Sequence, residues 1–406
     1  MKGFTLSIIL VLITITIVEV IMVQREISSE KREKFYLKNR INGMNDLYSN
    51  IITDSEKSMN IIAKRAISIA INHVIKDGIP VEEANETIKD LMIDGTFNTS
   101  VDLLMEGSRL IDWVEKMEEI AGLKGYQLRM SFTDLRVKPY DSFNLLVEGD
   151  ISINITDVEN LVSINRNKTV SVLVSIEGFE DPIYPLNTNG RVTRKIYNTK
   201  YSNFTKLFEG ISGGNNWVAG ISFSTNDSIV AENYQNKSNS ILVFDDPTLI
   251  NQTVLNQYKG LISREKPQNT TLIPYVYGVP WAPNNTYLLV DGAHGKVWEI
   301  ENFSKHIEGG YYYPSSSGPS LLDRLEGKMY LQPKYLSQKT TGIESFVNKT
   351  TFIYYKIPVE NGKTNVDYLY FSNSTQTGKG IKGIDPSVKI DDNHSKLYGV
   401  EDILVG

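Results

Sequence analysis

The sequence contains no cysteine, no proline before Pro80 and only four histidines in 406 residues. Without cysteine there is no thiolate catalysis, no iron–sulfur cluster and no Cys-based zinc site. The absence says little about compartment, because a chain of this length can build its core without disulfides. His73, His294, His306 and His394 fall into no His-Glu-x-x-His or comparable zinc spacing, so no metal or cofactor is expected. No phosphate-binding Gly-x-x-x-x-Gly-Lys loop occurs. Basic residues form no patch and the net charge is −6, which argues against nucleic acid as a partner. The missing early prolines leave the first 79 residues free to form unbroken helix.

What the N-terminus does have is an apolar run. Phe4 to Val23 spans twenty residues with Glu19 as the single charge, a length suited to crossing a bilayer as a helix. Val23-Gln24-Arg25-Glu26 follows, and offers no small-residue signal-peptidase site. The run is therefore expected to stay with the protein as a single membrane span. Arg25, Lys31, Arg32, Lys34, Lys38 and Arg40 follow it and only Lys2 precedes it, so a basic-residue count places the C-terminal side in the cytoplasm. Asparagine argues the opposite. Asn-x-Ser/Thr begins at Asn85, Asn98, Asn154, Asn167, Asn203, Asn226, Asn236, Asn251, Asn269, Asn284, Asn302, Asn348, Asn373 and Asn393. Fourteen of 34 asparagines head the pattern, where composition alone gives roughly five. None of the six asparagines before residue 85 does. The expectation is N-glycosylation at these sites and a single-pass cell-membrane protein with its C-terminal region extracellular.

Leu37, Ile41, Met44, Tyr48, Ile51, Ser55, Met59, Ile62, Ala66, Ile69 and His73 recur at steps of three and four. This predicts one helix from about residue 4 to 75, on the order of 105 Å long. Gly43 weakens it locally, and Gly78 with Pro80 supplies the stop. Two shorter helices are expected at Val81–Met92 and at about Ser100–Leu123. From Tyr126 onward, β-branched and aromatic runs such as LLVEGDISINI, TVSVLVSIEGF, TYLLVDGAHGKVWEI and TFIYYKIPVENGKTNVDYLYF read as strands, with hairpin turns at Asp291-Gly292 and Asn361-Gly362. No repeat and no βαβ rhythm is visible. The fold class expected is α+β: a long N-terminal transmembrane and amphipathic helix, helices on an antiparallel sheet, then a mostly β C-terminal region. The divisions are 1–3, 4–23, 24–80, 81–200 and 201–406.

Lys2-Gly3-Phe4-Thr5-Leu6 ahead of an apolar helix resembles the class III signal of type IV pilin-like proteins. The resemblance covers about the first 75 residues. It implies cleavage between Gly3 and Phe4 by a prepilin peptidase, a membrane-anchoring helix that can later pack into a filament core, and other pilin-like subunits as partners. Two departures stand out: the leader is only Met1-Lys2-Gly3, and Ile8 occupies the fifth mature position, where the family carries an acid. The phrases VSIEGFEDPIYPLNTNGRV and SSSGPSLLDRLEG are also similar to pilin-like surface proteins of methanogenic archaea.

No catalytic constellation emerges. Gly210-Ile211-Ser212-Gly213-Gly214 matches Gly-x-Ser-x-Gly in letters, but Asn215-Asn216-Trp217 follows in place of a helix. Glu177, Glu180 and Asp181, and the pair Asp245-Asp246, read as solvated turns at strand ends. His294 in DGAHGK reads as a hairpin turn, and Tyr311-Tyr312-Tyr313-Pro314 as core and rim packing. The function expected is a non-enzymatic pilin-like surface protein, a minor or tip component in adhesion or filament assembly. The alternative is an uncleaved single-span ectodomain that binds or hydrolyses an extracellular polymer.

Overall fold

A computed structural model describes residues 2–201, 204–207, 222–224, 241–243, 261–263, 288–291, 296–381 and 384–405, with side chains described from Ile13 onward. The chain divides into two compact units. The first comprises residues 1–70, 85–138 and 146–174, and the second 71–84, 139–145 and 175–406.

Helix α1 runs unbroken from Lys2 to Asp77. Its seam carries the first unit's packing: Met44, Leu47, Ile51, Met59, Ile62, Ala63, Ala66, Ile67, Ile69 and Ala70 are all buried. Ser55 is buried on the same face and turns its hydroxyl onto the Ile52 carbonyl at 2.7 Å. After α2 (Ala84–Ile93) comes a hairpin of β1 (Thr96–Phe97) and β2 (Ser100–Val101). Its turn residues Asn98 and Thr99 both have positive φ, the geometry a two-residue hairpin loop needs. The expected helix over 100–123 is in fact this strand, a 3-10 turn at Leu103–Met105 and α3 (Leu110–Leu123).

Strands β3 (Tyr126–Asp141), β4 (Asn144–Asp157) and β5 (Ser163–Ser175) form a sheet in that order. β4 alternates without a fault, burying Leu145, Val147, Ile151, Ile153 and Ile155. In β3 the buried phase changes from Leu128 and Met130 to Leu135 and Val137, with Asp134 between them at φ 50. One extra residue there shifts the alternation, as a bulge does. α1 lies against this sheet: Asn60 Nδ2 donates to the Leu173 carbonyl at 2.9 Å, and Trp113 of α3 donates to Asp54 at 2.8 Å.

The second unit has an aromatic core. Phe204, Phe303, His306, Tyr313, Phe346 and Tyr398 pack with several ring centroids 5.0–6.0 Å apart. Around them are α4 (Ile183–Thr188), α5 (Ile300–Glu308), α6 (Leu321–Leu325), α7 (Lys349–Tyr354), α8 (Asp367–Phe371) and α9 (Asp392–Leu397). Strands here are short. β6 (Thr205–Leu207), β10 (Leu288–Asp291) and β11 (Lys296–Glu299) form an antiparallel sheet. β12 (Tyr313–Ser315) pairs with β13 (Gly342–Glu344), and β14 (Gly380–Ile381) with β15 (Leu404–Val405).

Three expectations are corrected. Among the described residues no helix is long and apolar enough to cross a membrane. The apolar side chains described on α1 run only from Ile13 to Val23, about 16 Å of helix, against a hydrocarbon core of about 30 Å. Glu19 interrupts them and Gln24-Arg25-Glu26 ends them. The transmembrane segment over 4–23, and the single-pass membrane localisation built on it, are therefore not supported. The C-terminal region is also not mostly β. The run TFIYYKIPVENGKTNVDYLYF forms α7, a turn and α8, because Asn348 caps α7 by accepting from Thr350 and Thr351 amides, and Phe352, Tyr368 and Tyr370 are buried by neighbours whatever their strand propensity. Finally, β7 (Ser222–Ser224), β8 (Ile241–Val243) and β9 (Leu261–Ser263) are parallel, an arrangement no rhythm in the sequence announced.

Candidate functional site

The first candidate is the N-terminal part of α1. Ile13, Ile15, Ile17, Val18, Val20, Ile21, Met22 and Val23 are between 44% and 66% exposed. At 100° per residue they point to every side of the helix. The first buried side chain described on α1 is Met44. Just before it, Arg40 ties the helix to the end of the sheet. Its guanidinium stands 2.7 Å from the buried Asp157 carboxylate and packs over Tyr36. Residues 13–35 thus form an arm whose side chains make local contacts, such as Lys34 to Glu30 at 2.6 Å. An apolar helix exposed on all sides calls for a partner.

The second unit holds two buried polar clusters. Arg324 is wholly buried, donating to Asp181 at 2.5 Å, to Asp367 at 3.0 Å and to the Pro319 and Ile343 carbonyls. Burial alone would lower Arg324, but the two carboxylates hold it above the ordinary guanidinium range. Burial pushes Asp181 up, with Arg324 opposing. The Tyr312 hydroxyl also donates to Asp181, at 2.7 Å. Asp181 therefore does not sit in the solvated turn expected of it, and Glu177, which is exposed, does not join it in an acid–base pair. Asp181 and Arg324 belong to the two phrases that resemble archaeal surface proteins, and the structure brings those phrases together in its core. With every partner saturated, the cluster is structural.

In the other cluster His394 Nδ1 lies 2.8 Å from Asp391, and Nε2 lies 2.8 Å from the Tyr368 hydroxyl and 3.3 Å from Glu344. Burial would lower the imidazolium, but the Asp391 and Glu344 carboxylates push it up to about 10. His306 is the reverse case: burial, and then Arg194, bring it down to about 3. A cavity of about 290 Å³ opens beside α5, α7 and the 384–388 segment, lined in part by Glu308, Val347, Lys349, Asn365, Asp385 and Val388.

The remaining candidates are scattered. His73 is half-buried near the end of α1, 3.5 Å from Asp77. Asn98, Asn154, Asn167, Asn373 and Asn393 are exposed, and Asn85, Asn302 and Asn348 half-buried. The side chains of Gly3 and Phe4, and Asn203, Asn226, Asn236, Asn251, Asn269, Asn284, Gly210–Gly214, Asp245-Asp246 and His294, lie outside the described residues. Among the described residues no group of three or more acidic or histidine side chains could hold a metal. Lys349 and the His394 cluster were missed by sequence reasoning. Asp391 three residues before His394 was the only available signal; Lys349 is hidden inside the sequon Asn348-Lys349-Thr350. No protein family, curated protein or solved structure matches this chain, so its function is read from these residues alone.

Proposed function

We propose that this chain is a pilin-like assembly protein, a minor or tip component of a filament, whose helical arm packs among the N-terminal helices of other pilin-like subunits. One observation carries the reading: residues Ile13 to Val23 expose apolar side chains on every face of α1. A helix apolar all round is stable only when enclosed. A bundle of like helices encloses it, gaining about 25 cal/mol for each Å² of apolar surface removed from water. The Lys2-Gly3-Phe4 signal supports the same reading, since cleavage there would free the helix to enter such a bundle. A photo-crosslinking residue at Ile17 in the native host tests it. Crosslinks to N-terminal helices of other pilin-like subunits are the expected result; crosslinks to lipid, or to none but unrelated proteins, overturn the proposal. Sequencing the protein's N-terminus adds an independent check, with Phe4 expected first and Met1 counting against the signal.

A further inference from the structure

A lysine buried without a carboxylate costs stability, because its ammonium loses water and gains no counter-charge. Lys349, the first residue of α7, is 4% exposed. Its amine makes one hydrogen bond, to the Lys363 carbonyl at 3.2 Å, and stands 5.8 Å from the centre of the Tyr370 ring. Among the described residues no carboxylate forms an ion pair with it. Neighbouring Lys363 shows the contrast. Lys363 is also buried, yet it lies 3.5 Å from Glu360 and donates to the Ser372 carbonyl at 2.7 Å. Burial first, and repulsion from Lys389 second, lower the Lys349 amine to about 8, with Glu360 opposing. A substantial share is therefore neutral and nucleophilic near physiological pH.

Lys349 also lines the 290 Å³ cavity, which is large enough for a molecule of a few heavy atoms. Ile307, Val347 and Val388 form its apolar wall, while Glu308 and Asp385 set carboxylates around it. Those acids disfavour an anionic guest and suit one that offers hydroxyl groups. We infer that Lys349 is a covalent capture site for a small, uncharged carbonyl compound, a short hydroxyaldehyde being the class that fits. The amine lone pair forms a C–N bond to the carbonyl carbon. The two amine hydrogens pass to the carbonyl oxygen, which leaves as water, and a C=N bond remains. Nothing is oxidised or reduced in that step.

The test uses the full chain with glycolaldehyde, sodium cyanoborohydride to freeze the imine as a secondary amine, and mass mapping of peptides at low conversion. Label is expected on Lys349 ahead of exposed lysines such as Lys57 and Lys116, with the preference lost when the chain is unfolded in urea. Pyruvate, an anionic carbonyl compound, should label Lys349 several-fold less. Label spread over the exposed lysines with Lys349 bare would overturn the site. So would a preference that persists in urea, since the fold would then play no part. Equal labelling by pyruvate would overturn the class of ligand.

Discussion

His394 and His306 lie in the same unit and are held in opposite charge states, with consequences that run in opposite directions along the pH scale. His394 is raised from 6.5 to about 10, so the folded state holds a proton that the unfolded state releases above 6.5. Its contribution is full below pH 6.5 and is lost as pH rises through about 10. His306 is lowered to about 3, so the unfolded chain binds the extra proton, and stability falls as pH drops below 6.5. Each effect is on the order of a few kcal/mol, since a tenfold change in proton affinity is worth about 1.4 kcal/mol. Lys349, lowered from 10.5 to about 8, works against His394 on the alkaline side, so total stability is a poor readout. The difference between wild type and His394→Gln isolates the group. That difference, from urea unfolding, should shrink as pH rises from 6.5 toward 10. For His306→Gln the difference should change between pH 6.5 and 3 and stay flat above. A His394 difference that does not vary with pH would mean the imidazole is neutral in the fold.

At the scale of the element, α1 sets two effects against each other at Gly43. Helix propensity alone says that Gly43→Ala should stabilise the helix by about 1 kcal/mol. Packing says otherwise, because a Cβ at Gly43 would collide with the hydroxyl of Tyr126, itself buried at the start of β3. Overpacking costs about 1–3 kcal/mol, so Gly43→Ala should lower the melting temperature, and adding Tyr126→Phe should recover most of the loss. A stabilised single variant would show that the ring moves aside freely. Ile62, buried in the seam, gives the larger effect: Ile62→Asp leaves an unpaired carboxylate in the core and should cost about 3 kcal/mol or more. That seam was legible because a 3.6-residue period survives for many turns, and the β4 alternation was legible for the matching reason. The helices α7 and α8 were not. Thr350, Thr351, Phe352, Ile353 and Tyr354 favour strands intrinsically, and only the Asn348 cap and burial by distant residues make them helical. The cluster around Arg324 was unreadable for a related reason, since Asp181 and Asp367 come from segments 143 and 43 residues away.

For the whole molecule, the question is where in an assembly such a chain would stand, and Ile8 bears on it. Cleavage after Gly3 would leave an ammonium on Phe4, and burying it unpaired in a helical bundle is expensive. In the family that the N-terminus resembles, an acid at the fifth mature position of a neighbour relieves that charge. This chain has Ile8 there, and Glu19 lies eleven residues further along, about 16 Å up the helix. As one copy after another in a filament, the chain would leave each successive amine uncompensated. At a tip the difficulty disappears: its own amine can pair with the acid of a different subunit, and no subunit above requires one from it. The arm is equipped for one such encounter, apolar from Ile13 to Val23 and then charged from Arg25 to Lys38. Quantifying the subunits of isolated filaments should find this protein as a small minority, and finding it as the most abundant species would sink the assignment. Ile8→Glu is the complementary variant. If the missing acid is what limits repetition, the variant should enter filaments at a several-fold higher ratio to the other subunits, while Ile8→Gln, similar in size but uncharged, should leave the ratio where it was.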